Sequence, residues 1–415
     1  MNKKIGNLFK GDKGIWMVFF FLCMISIVEV FSASSGLTYK SQNYVGPIAY
    51  HTFTIFIGVV AAIGTLNIPC RYFKLLTPFM LLISALMLLV VMLGGGESTN
   101  DASRWIRLGP FTIQPSEIAK GTIVLTVAQI LAAMQRENGA DRKAFKYILW
   151  FTIPACLAIG VENLSTAALL FAVVFLMMFI GLVPARQLAK LFGIIAFIGI
   201  FAISMVMLVG QDPSAATADQ QAKTEQVKAT KKKNKIERLL HRADTWKARI
   251  LNFGKEDPTP KEYDLDKDAQ VAHANIAIVS SGILGKGPGQ STERDFLAQA
   301  FSDFIFAIVI EELGIMGAFG VAFLYIILLY RCARIASRCE NNFPAFLVMG
   351  LGLLLVIQAI FNMMVAVGLA PVTGQPLPLI SKGGTSTIIN CVYIGAILSV
   401  SRSAKKKKDF REDAE

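Results

Sequence analysis

The stretch WMVFFFLCMISIVEVFSASSG, residues 16–36, decides which class of protein this chain belongs to. Its apolar part approaches the roughly 20 residues that an α-helix needs to cross the hydrocarbon core of a bilayer. Small residues after a basic start and an apolar run also occur in secretory signal peptides, but this run is long and similar runs follow it. We therefore interpret it as the first of several membrane-spanning helices.

The composition of the whole chain agrees with this interpretation. Of its 415 residues, 54% are hydrophobic and only 17% are charged, whereas about a quarter of the residues in a soluble domain are charged. Apolar runs of similar length recur along the chain. They start at Trp16, His51, Leu75, Ile118, Tyr147, Ala167, Leu188, Phe304, Phe343 and Thr387. The sequence predicts an all-α polytopic membrane protein with about ten transmembrane helices, in a single membrane domain over residues 1–415.

The Lys and Arg residues between the runs indicate the orientation of the chain. Short basic loops stay in the cytoplasm, and here they precede the first run and then follow every second run. They contain Lys3, Lys4, Lys10, Lys13, Arg71, Lys74, Arg136, Arg142, Lys143, Lys146, Arg186, Lys190, Arg331, Arg334 and Arg338. The tail, residues 403–415, is also basic. We predict that both termini are cytoplasmic.

One long segment, residues 211–302, contains no membrane-spanning run. The count of crossings places it outside the cell, between spans seven and eight, and long loops cross the membrane largely regardless of their charge. Loops of this length are usually functional or disordered. Its second half, AQVAHANIAIVSSGILGKGPGQS at residues 269–291, is apolar and rich in glycine, and we interpret it as a re-entrant or interfacial element.

The glycines of GKGPG, residues 285–289, suggest a loop that binds an anion through its backbone amides. Lys286 is followed by Gly287 rather than by Ser or Thr, so the pattern of a nucleotide-binding loop is not met. Two interpretations stay open. The loop is either a structural turn or, with Lys286, part of a site that holds a diphosphate at the membrane surface.

The net charge of +12 does not indicate a nucleic-acid partner, because it is spread over short loops and tails. Anionic lipid head groups are the better partner for such loops. The six cysteines show no CxxC spacing, and the three histidines are scattered. The sequence therefore predicts no disulfide framework and shows no Cys or His spacing typical of a metal site, and the metal requirement stays open.

Polar residues gather at the predicted outer face. In SRWIRLGPFTIQPSEIAKG, residues 103–121, Pro115 suits the first turn of a helix, so Glu117 and Lys120 share one face just inside the membrane. Such an intramembrane pair indicates either a functional site or a structural salt bridge. Arg104, Trp105 and Arg107 form a cationic and aromatic cluster, which is either an interface anchor or a diphosphate clamp.

Two further stretches point to the same face. In GLAPVTGQPLPLISKGGTS, residues 368–386, three prolines forbid a continuous helix, and irregular backbone at membrane depth is tolerated only where it is buried in protein or lines a cavity. In QAFSDFIFAIVIEELG, residues 299–314, Asp303 stands where the polar part gives way to the apolar part. We expect the deeper Glu311 and Glu312 to be structural, pairing across helices.

These residues resemble the SEDS family (shape, elongation, division and sporulation proteins) over nearly the whole chain. The resemblance rests on six blocks in the family's order: FSASSG, RWIRLGPFTIQPSEIAK, ENLSTA, GKGPGQS, AFSDFIFAIVIEELG and VGLAPVTGQPLPLISKGGTS. It implies a peptidoglycan glycosyltransferase that polymerises lipid II at the outer face of the bacterial cytoplasmic membrane. The DTW of residues 244–246 and the QPLPLISKGGTS block are most similar to the division branch, which implies a septal location. The elongation branch is the alternative.

The resemblance also implies roles for individual residues. Asp303 is the essential acid, and extension of a β-1,4 strand from an α-linked donor requires a base at the acceptor hydroxyl. Glu117 and Lys120 order the floor of the cavity. The remaining substrate-binding candidates are Arg104, Trp105, Arg107, Lys286, Ser381, Lys382, Gly383 and Gly384. Arg104, Arg107, Lys382 or a divalent cation, Mg²⁺ or Mn²⁺, is expected to stabilise the departing diphosphate.

The expected partners are lipid II, the nascent glycan strand, membrane lipids, a class B penicillin-binding protein and other division proteins. Two functions from other classes stay open. A flippase for lipid II needs polar residues along a path through both leaflets, whereas here they cluster outward. A scaffold for a transpeptidase needs no outward acid at all.

Overall fold

The computed structural model describes residues 10–41, 46–93, 97–99, 102–108, 111–137, 139–209, 269–297 and 300–404. Helices make up most of this part of the chain. They are α1 (Lys13–Ser41), α2 (Gly46–Asn67), α3 (Cys70–Met92), α4 (Pro115–Ala133), α5 (Arg142–Glu162), α6 (Leu164–Ile180), α7 (Ala185–Val209), α8 (Ala269–Ser281), α9 (Ile305–Ala336), α10 (Asn342–Ala366) and α11 (Thr385–Ala404).

Eight of the described helices are long and apolar enough to cross a membrane: α1 to α5 and α9 to α11. Helix α6 is apolar but has 17 residues, at the short end of what spans a bilayer, and α7 has 25. Each of the ten predicted apolar runs therefore lies in a helix of its own. The prediction of a polytopic helical membrane protein is confirmed, while the count of ten spans stays a prediction.

Two small antiparallel sheets, which we did not predict, interrupt the helices. Strands β1 (Glu97–Thr99), β2 (Ala102–Leu108) and β3 (Phe111–Ile113) form one sheet between α3 and α4, in that order. Strands β4 (Gln135–Arg136) and β5 (Gly139–Ala140) form a short hairpin after α4. The first sheet carries the cluster that begins at Arg104.

The core lies where α10 packs against α4, α6, α9 and α11, and where α2 packs against α11. Small residues allow close approach of the second pair. A Cβ on Gly395 of α11 would lie 2.5 Å from the carbonyl oxygen of Ala62 in α2. Packing of this kind holds membrane helices together, because lipid offers no hydrophobic driving force between them.

Helix α9 is broken at Gly314, whose φ of 72° and ψ of −175° are not helical. The loop after α8 fills the break, since Ile315 N donates to Gly282 O and Met316 N to Ile283 O, both at 3.3 Å. A Cβ on Gly285 would lie only 2.4 Å from Gly314 N. The two glycines therefore let two backbones touch, and the protein itself satisfies the polar groups that the break exposes.

Both ends of the described chain lie at one face of the helical bundle. Asp12 N donates to Ser401 Oγ at 2.9 Å, and Arg331 Nε, near the end of α9, donates to Asp12 Oδ1 at 2.9 Å. An even number of spans requires this arrangement. That this face is the cytoplasmic one stays a prediction.

Much of the predicted loop lies outside the described residues, including residues 210–268 with the DTW of residues 244–246. The described part begins at α8, which packs against α9, so the predicted second half of the loop is folded onto the bundle. The tail lies outside the described residues from residue 405 onward. Residues 403 and 404 end α11.

Candidate active site

Asp303 lies two residues before the start of α9 and is half-buried. The backbone around it is held at every residue from 301 to 303. The three successive carbonyl oxygens accept hydrogen bonds from Lys382 N (2.9 Å), Ser381 Oγ (2.7 Å) and Asn362 Nδ2 (2.8 Å). The position of the Asp303 Cα is therefore fixed by donors from the loop after α10 and from α10 itself.

The carboxylate of Asp303 faces a glycine turn. Ser302 Oγ donates to its Oδ1 at 3.0 Å. On the other side, a Cβ on Gly374 would lie 3.5 Å from Oδ2, and Gly374 has a φ of +68°. With no side chain at position 374, the backbone of this turn lies close to the second carboxylate oxygen.

Gly374 belongs to the irregular segment of residues 367–384, between α10 and α11. Several of its polar groups are bound inside the protein: Gln375 Nε2 donates to Thr166 Oγ1 (2.7 Å), Leu377 N donates to Ser381 Oγ (2.7 Å), and Tyr325 OH donates to Pro378 O. The segment is irregular, as predicted, and its part from residue 377 to 381 is buried in protein, whereas residues 367–369 are exposed. Ser381, a predicted substrate-binding residue, uses its hydroxyl to join the segment to Ser302.

Lys382 places its ammonium over the ring of Phe301, two residues before Asp303. Its Nζ lies 4.9 Å from the centre of the Phe301 ring, and it interacts electrostatically with His51. Burial lowers the pKa of Lys382, because the charged ammonium has lost part of its water. The next residues, Gly383 and Gly384, lead into α11, and Gly384 has a φ of +52°.

Glu117 and Lys120 form the ion pair that their spacing predicts. Lys120 Nζ lies 2.8 Å from Glu117 Oε1, and their side chains are 0% and 2% exposed, respectively. Lys120 also donates to Gln358 Oε1 at 2.7 Å, and Gln358 Nε2 donates to Pro376 O at 3.0 Å. The pair is therefore linked through α10 to the segment that faces Asp303. Whether it also contacts substrate stays a prediction.

Strand β2 carries Arg104, Trp105 and Arg107. Trp105 is half-buried and Arg107 is exposed, and alternation along a strand places both on one face. Arg104 precedes Trp105 on the strand, and its side chain is outside the described residues. The sheet reaches the site, because Thr385 Oγ1 donates to Thr112 O at 2.6 Å, next to Gly384.

The GKGPG loop is bound to the two deeper acids. Lys286 Nζ lies 2.6 Å from Glu311 Oε1, and the amides of Gly289 and Thr292 donate to the carboxylates of Glu312 (2.9 Å) and Glu311 (3.0 Å). The backbone amides of Lys286 and Gly287 donate to the main-chain carbonyls of the same two acids. The charge and the amides that an anion would need are thus engaged within the protein, which favours the structural turn over the diphosphate site.

The structural role expected for Glu311 and Glu312 stays a prediction, and both carboxylates are bound within the protein, that of Glu311 by the glycine loop. Glu312 also accepts from Ser32 Oγ on α1, so it pairs across helices as expected. Arg294 Nη1 donates to the same hydroxyl at 3.0 Å and to Gly289 O at 2.8 Å. These bonds join α1, the glycine loop and the break in α9.

Three polar residues within the spans were missed by the sequence interpretation. Glu29 of α1 is fully buried, and neither of its carboxylate oxygens has a hydrogen-bond partner in the described part of the chain. Gln358 and Asn362 lie one turn apart on α10 and are buried. The signal was present, because polar side chains inside a membrane-spanning run are rare and usually functional.

The divalent cation expected at the site stays a prediction. Within the described ranges, no group of three or more His, Cys, Asp or Glu side chains is arranged to hold a metal ion. Mg²⁺ usually keeps several waters and binds through one or two carboxylates together with substrate phosphates, so Asp303 would supply one such carboxylate beside a bound diphosphate.

The family model for cell cycle proteins of the FtsW, RodA and SpoVE type matches residues 12–406. Similar relatives include the probable peptidoglycan glycosyltransferases FtsW of Nitrosococcus halophilus (30% identical, covering 86% of this chain and 83% of that protein) and Aromatoleum aromaticum (28%, 93% and 87%). Stage V sporulation protein E of Bacillus subtilis is 28% identical, covering 92% of this chain and 95% of that protein.

Two solved structures share the fold. One is described as the structural coordination of polymerization and crosslinking by a peptidoglycan synthase complex, with a TM-score of 0.67 and 21% identity over 95% of this chain and 99% of that chain. The other is the rod shape determining protein RodA of Thermus thermophilus, with a TM-score of 0.63 and 21% identity over 96% and 99%.

Proposed function

Because the chain belongs to the FtsW, RodA and SpoVE family of cell cycle proteins, we propose that it is a peptidoglycan glycosyltransferase that polymerises lipid II. The observation that carries the proposal is the placement of Asp303. The carbonyl oxygens of residues 301–303 each accept a hydrogen bond. The Asp303 carboxylate faces the turn at Gly374 and lies beside the first turn of α9, at the opposite end of that helix from Arg331. A carboxylate whose backbone is fixed suits a general base.

In the proposed reaction, the acceptor sugar hydroxyl loses its proton to Asp303 while its oxygen attacks the anomeric carbon of the donor. The new C–O bond forms as the bond from that carbon to the diphosphate oxygen breaks, so the α-linkage is inverted to β. The electron pair of the broken bond leaves with the lipid diphosphate. A positioned base contributes about 100- to 10,000-fold to such a step.

The departing diphosphate needs positive charge. Lys382 is one candidate, since its backbone binds the residue two before Asp303 and its ammonium is partly desolvated. A preorganised cation in a partly dry site stabilises developing charge more than a hydrated one does. Arg104 and Arg107 on β2 are the other candidates.

The division branch is the more strongly supported assignment within the family. The relatives named FtsW cover most of this chain, and they include the one with 30% identity. We therefore propose a place at the division septum and a partnership with a class B penicillin-binding protein and other division proteins. The solved complex that coordinates polymerization and crosslinking supports such a partnership. The elongation branch is the alternative.

Purified protein in detergent micelles, incubated with lipid II, tests the activity itself. Micelles have no second side, so a flippase makes no product there, whereas a polymerase makes glycan strands that gel electrophoresis resolves by length. We expect strands of many disaccharides, with or without a class B penicillin-binding protein. A parallel purification from cells that lack the protein controls for contaminating polymerases. Absence of strands under every one of these conditions would contradict the proposal.

A further inference from the structure

Helix α10 carries two buried side-chain amides, which are unusual within an apolar span. Gln358 and Asn362 are each 1% exposed and lie four residues apart, so they share one face. Polar side chains within membrane spans are costly and face the protein interior. Their hydrogen bonds therefore show which segments of the protein this face of α10 holds in place.

Asn362 holds two separate segments with one amino group. Its Nδ2 donates to Asp303 O at 2.8 Å and to Gln375 O at 2.7 Å. An amide nitrogen has two hydrogens, and here each is directed to a different carbonyl. The first segment carries the carboxylate. The second carries Gly374, whose Cα faces Asp303 Oδ2.

Gln358, one turn before Asn362 on α10, binds the same segment. Its Oε1 accepts a hydrogen bond from Lys120 Nζ, and its Nε2 donates to Pro376 O, next to Gln375. The buried Glu117–Lys120 pair of α4 is thus linked through Gln358 to the segment that faces Asp303, and not to Asp303 itself. Of these side chains, Asn362 is the one that binds both sides of the site.

We infer that Asn362 is a positioning residue for Asp303, setting the distance between its carboxylate and the glycine turn where the acceptor hydroxyl enters. The inference rests on the proposed role of Asp303 as the base. A misplacement of about 1 Å can cost about 100-fold in rate. Loss of the amide therefore lowers kcat and leaves the KM for lipid II nearly unchanged, because no part of Asn362 is assigned to substrate.

A double-mutant cycle on glycan formation from lipid II tests this. We expect Asn362→Ala to lower kcat by about 100-fold in the wild-type background. In the Asp303→Asn background the same change lowers the residual rate by less than about two-fold, because its effect passes through the carboxylate. Asn362→Gln keeps the amino group but moves it, and we expect an intermediate kcat with the same non-additivity.

Ser399→Ala is the matched control, since it also removes a buried side-chain bond to a backbone carbonyl, that of Ile68, far from Asp303. It should change neither kcat nor the cycle. If Asn362→Ala and Asn362→Gln both keep wild-type kcat, or if they lower the rate of Asp303→Asn as much as that of the wild type, the positioning role is wrong while the base survives. If Asp303→Asn itself keeps the wild-type rate, the proposed function falls together with this inference.

Discussion

At the scale of single residues, the site depends on what stands beside the Asp303 carboxylate. Gly374 faces Oδ2 in a left-handed conformation that only glycine adopts without strain. A methyl group there would lie 3.5 Å from the oxygen, in the space that the acceptor hydroxyl needs. Gly368 in the same segment has a similar φ of +75°, and no described atom lies within 4 Å of a Cβ on it.

These two glycines allow backbone strain and obstruction to be separated. Gly374→Ala and Gly368→Ala should each destabilise the protein by about 1–2 kcal/mol, the cost of a left-handed alanine. Only Gly374→Ala should also lower the polymerisation rate strongly. Thermal unfolding in detergent and strand formation from lipid II measure the two effects. Equal rates for the two variants would mean that the space beside Oδ2 is not used.

The Glu117–Lys120 pair tests the energetics of a buried charge. Removing one partner leaves the other charge unpaired, at a cost of about 3–5 kcal/mol for a buried pair. We expect Glu117→Gln and Lys120→Met each to lower the unfolding temperature, and the double variant to be less affected than the sum of the two. Strict additivity would show that the two charges do not stabilise each other.

This pair also shows what sequence can predict at the residue scale. Its members are three apart on a helix that starts at Pro115, so their contact follows from helix geometry alone. The further partner of Lys120, Gln358, could not be found, because it comes from another helix and contact between helices is decided by tertiary packing.

At the scale of elements, apolar run length predicted the helices and failed at their interruptions. The ten runs each lie in a helix because a helix satisfies its backbone polar groups within the run itself. The break at Gly314 was missed, since Leu313 and Ile315 continue the apolar pattern across it. The β1–β3 sheet was missed because two of its strands have only three residues, too few for a visible alternation.

The contact between Gly285 and Gly314 should be essential to the break in α9. A methyl group on Gly285 would lie 2.3 Å from Glu312 O, whereas Gly282, with a φ of +65°, has no described atom within 4 Å of its Cβ position. Both substitutions by alanine carry about 1–2 kcal/mol of backbone strain. Gly285→Ala should cost about 1–3 kcal/mol more from overpacking.

Thermal unfolding of the purified protein in detergent compares these two variants. We expect a clearly lower unfolding temperature for Gly285→Ala than for Gly282→Ala. Equal temperatures would show that the two backbones do not need to touch, and that the glycine loop is held by Glu311 and Glu312 alone.

At the scale of the whole molecule, the structure shows which ends of the chain share a face, and the charges of the loops predict on which side of the membrane that face lies. The bonds of Asp12 to Ser401 and Arg331 place both ends of the described chain at one face. The Lys and Arg bias of the short loops predicts that this face is cytoplasmic. The contact of Asn362 on α10 with Asp303 could not be predicted, because it depends on how distant spans pack.

Cysteine labelling in intact cells measures the orientation. In a variant without its six native cysteines, Ser214→Cys should react with a membrane-impermeant thiol reagent, and Ser403→Cys should react only after the cells are opened. The control is labelling of both variants in detergent. Reaction of Ser403→Cys in intact cells would place the site on the cytoplasmic side, where a polymerase of exported lipid II cannot work.

The initial rate of glycan strand formation by Asp303→Asn, measured on purified protein with lipid II, tests the central claim most directly. Asparagine keeps the size of the side chain and removes the base, so we predict a fall of roughly 100- to 10,000-fold with unfolding temperature unchanged. Asp295→Asn, an exposed acid on the same segment, should keep the wild-type rate. Strand formation by Asp303→Asn at a rate near that of the wild type would contradict the account.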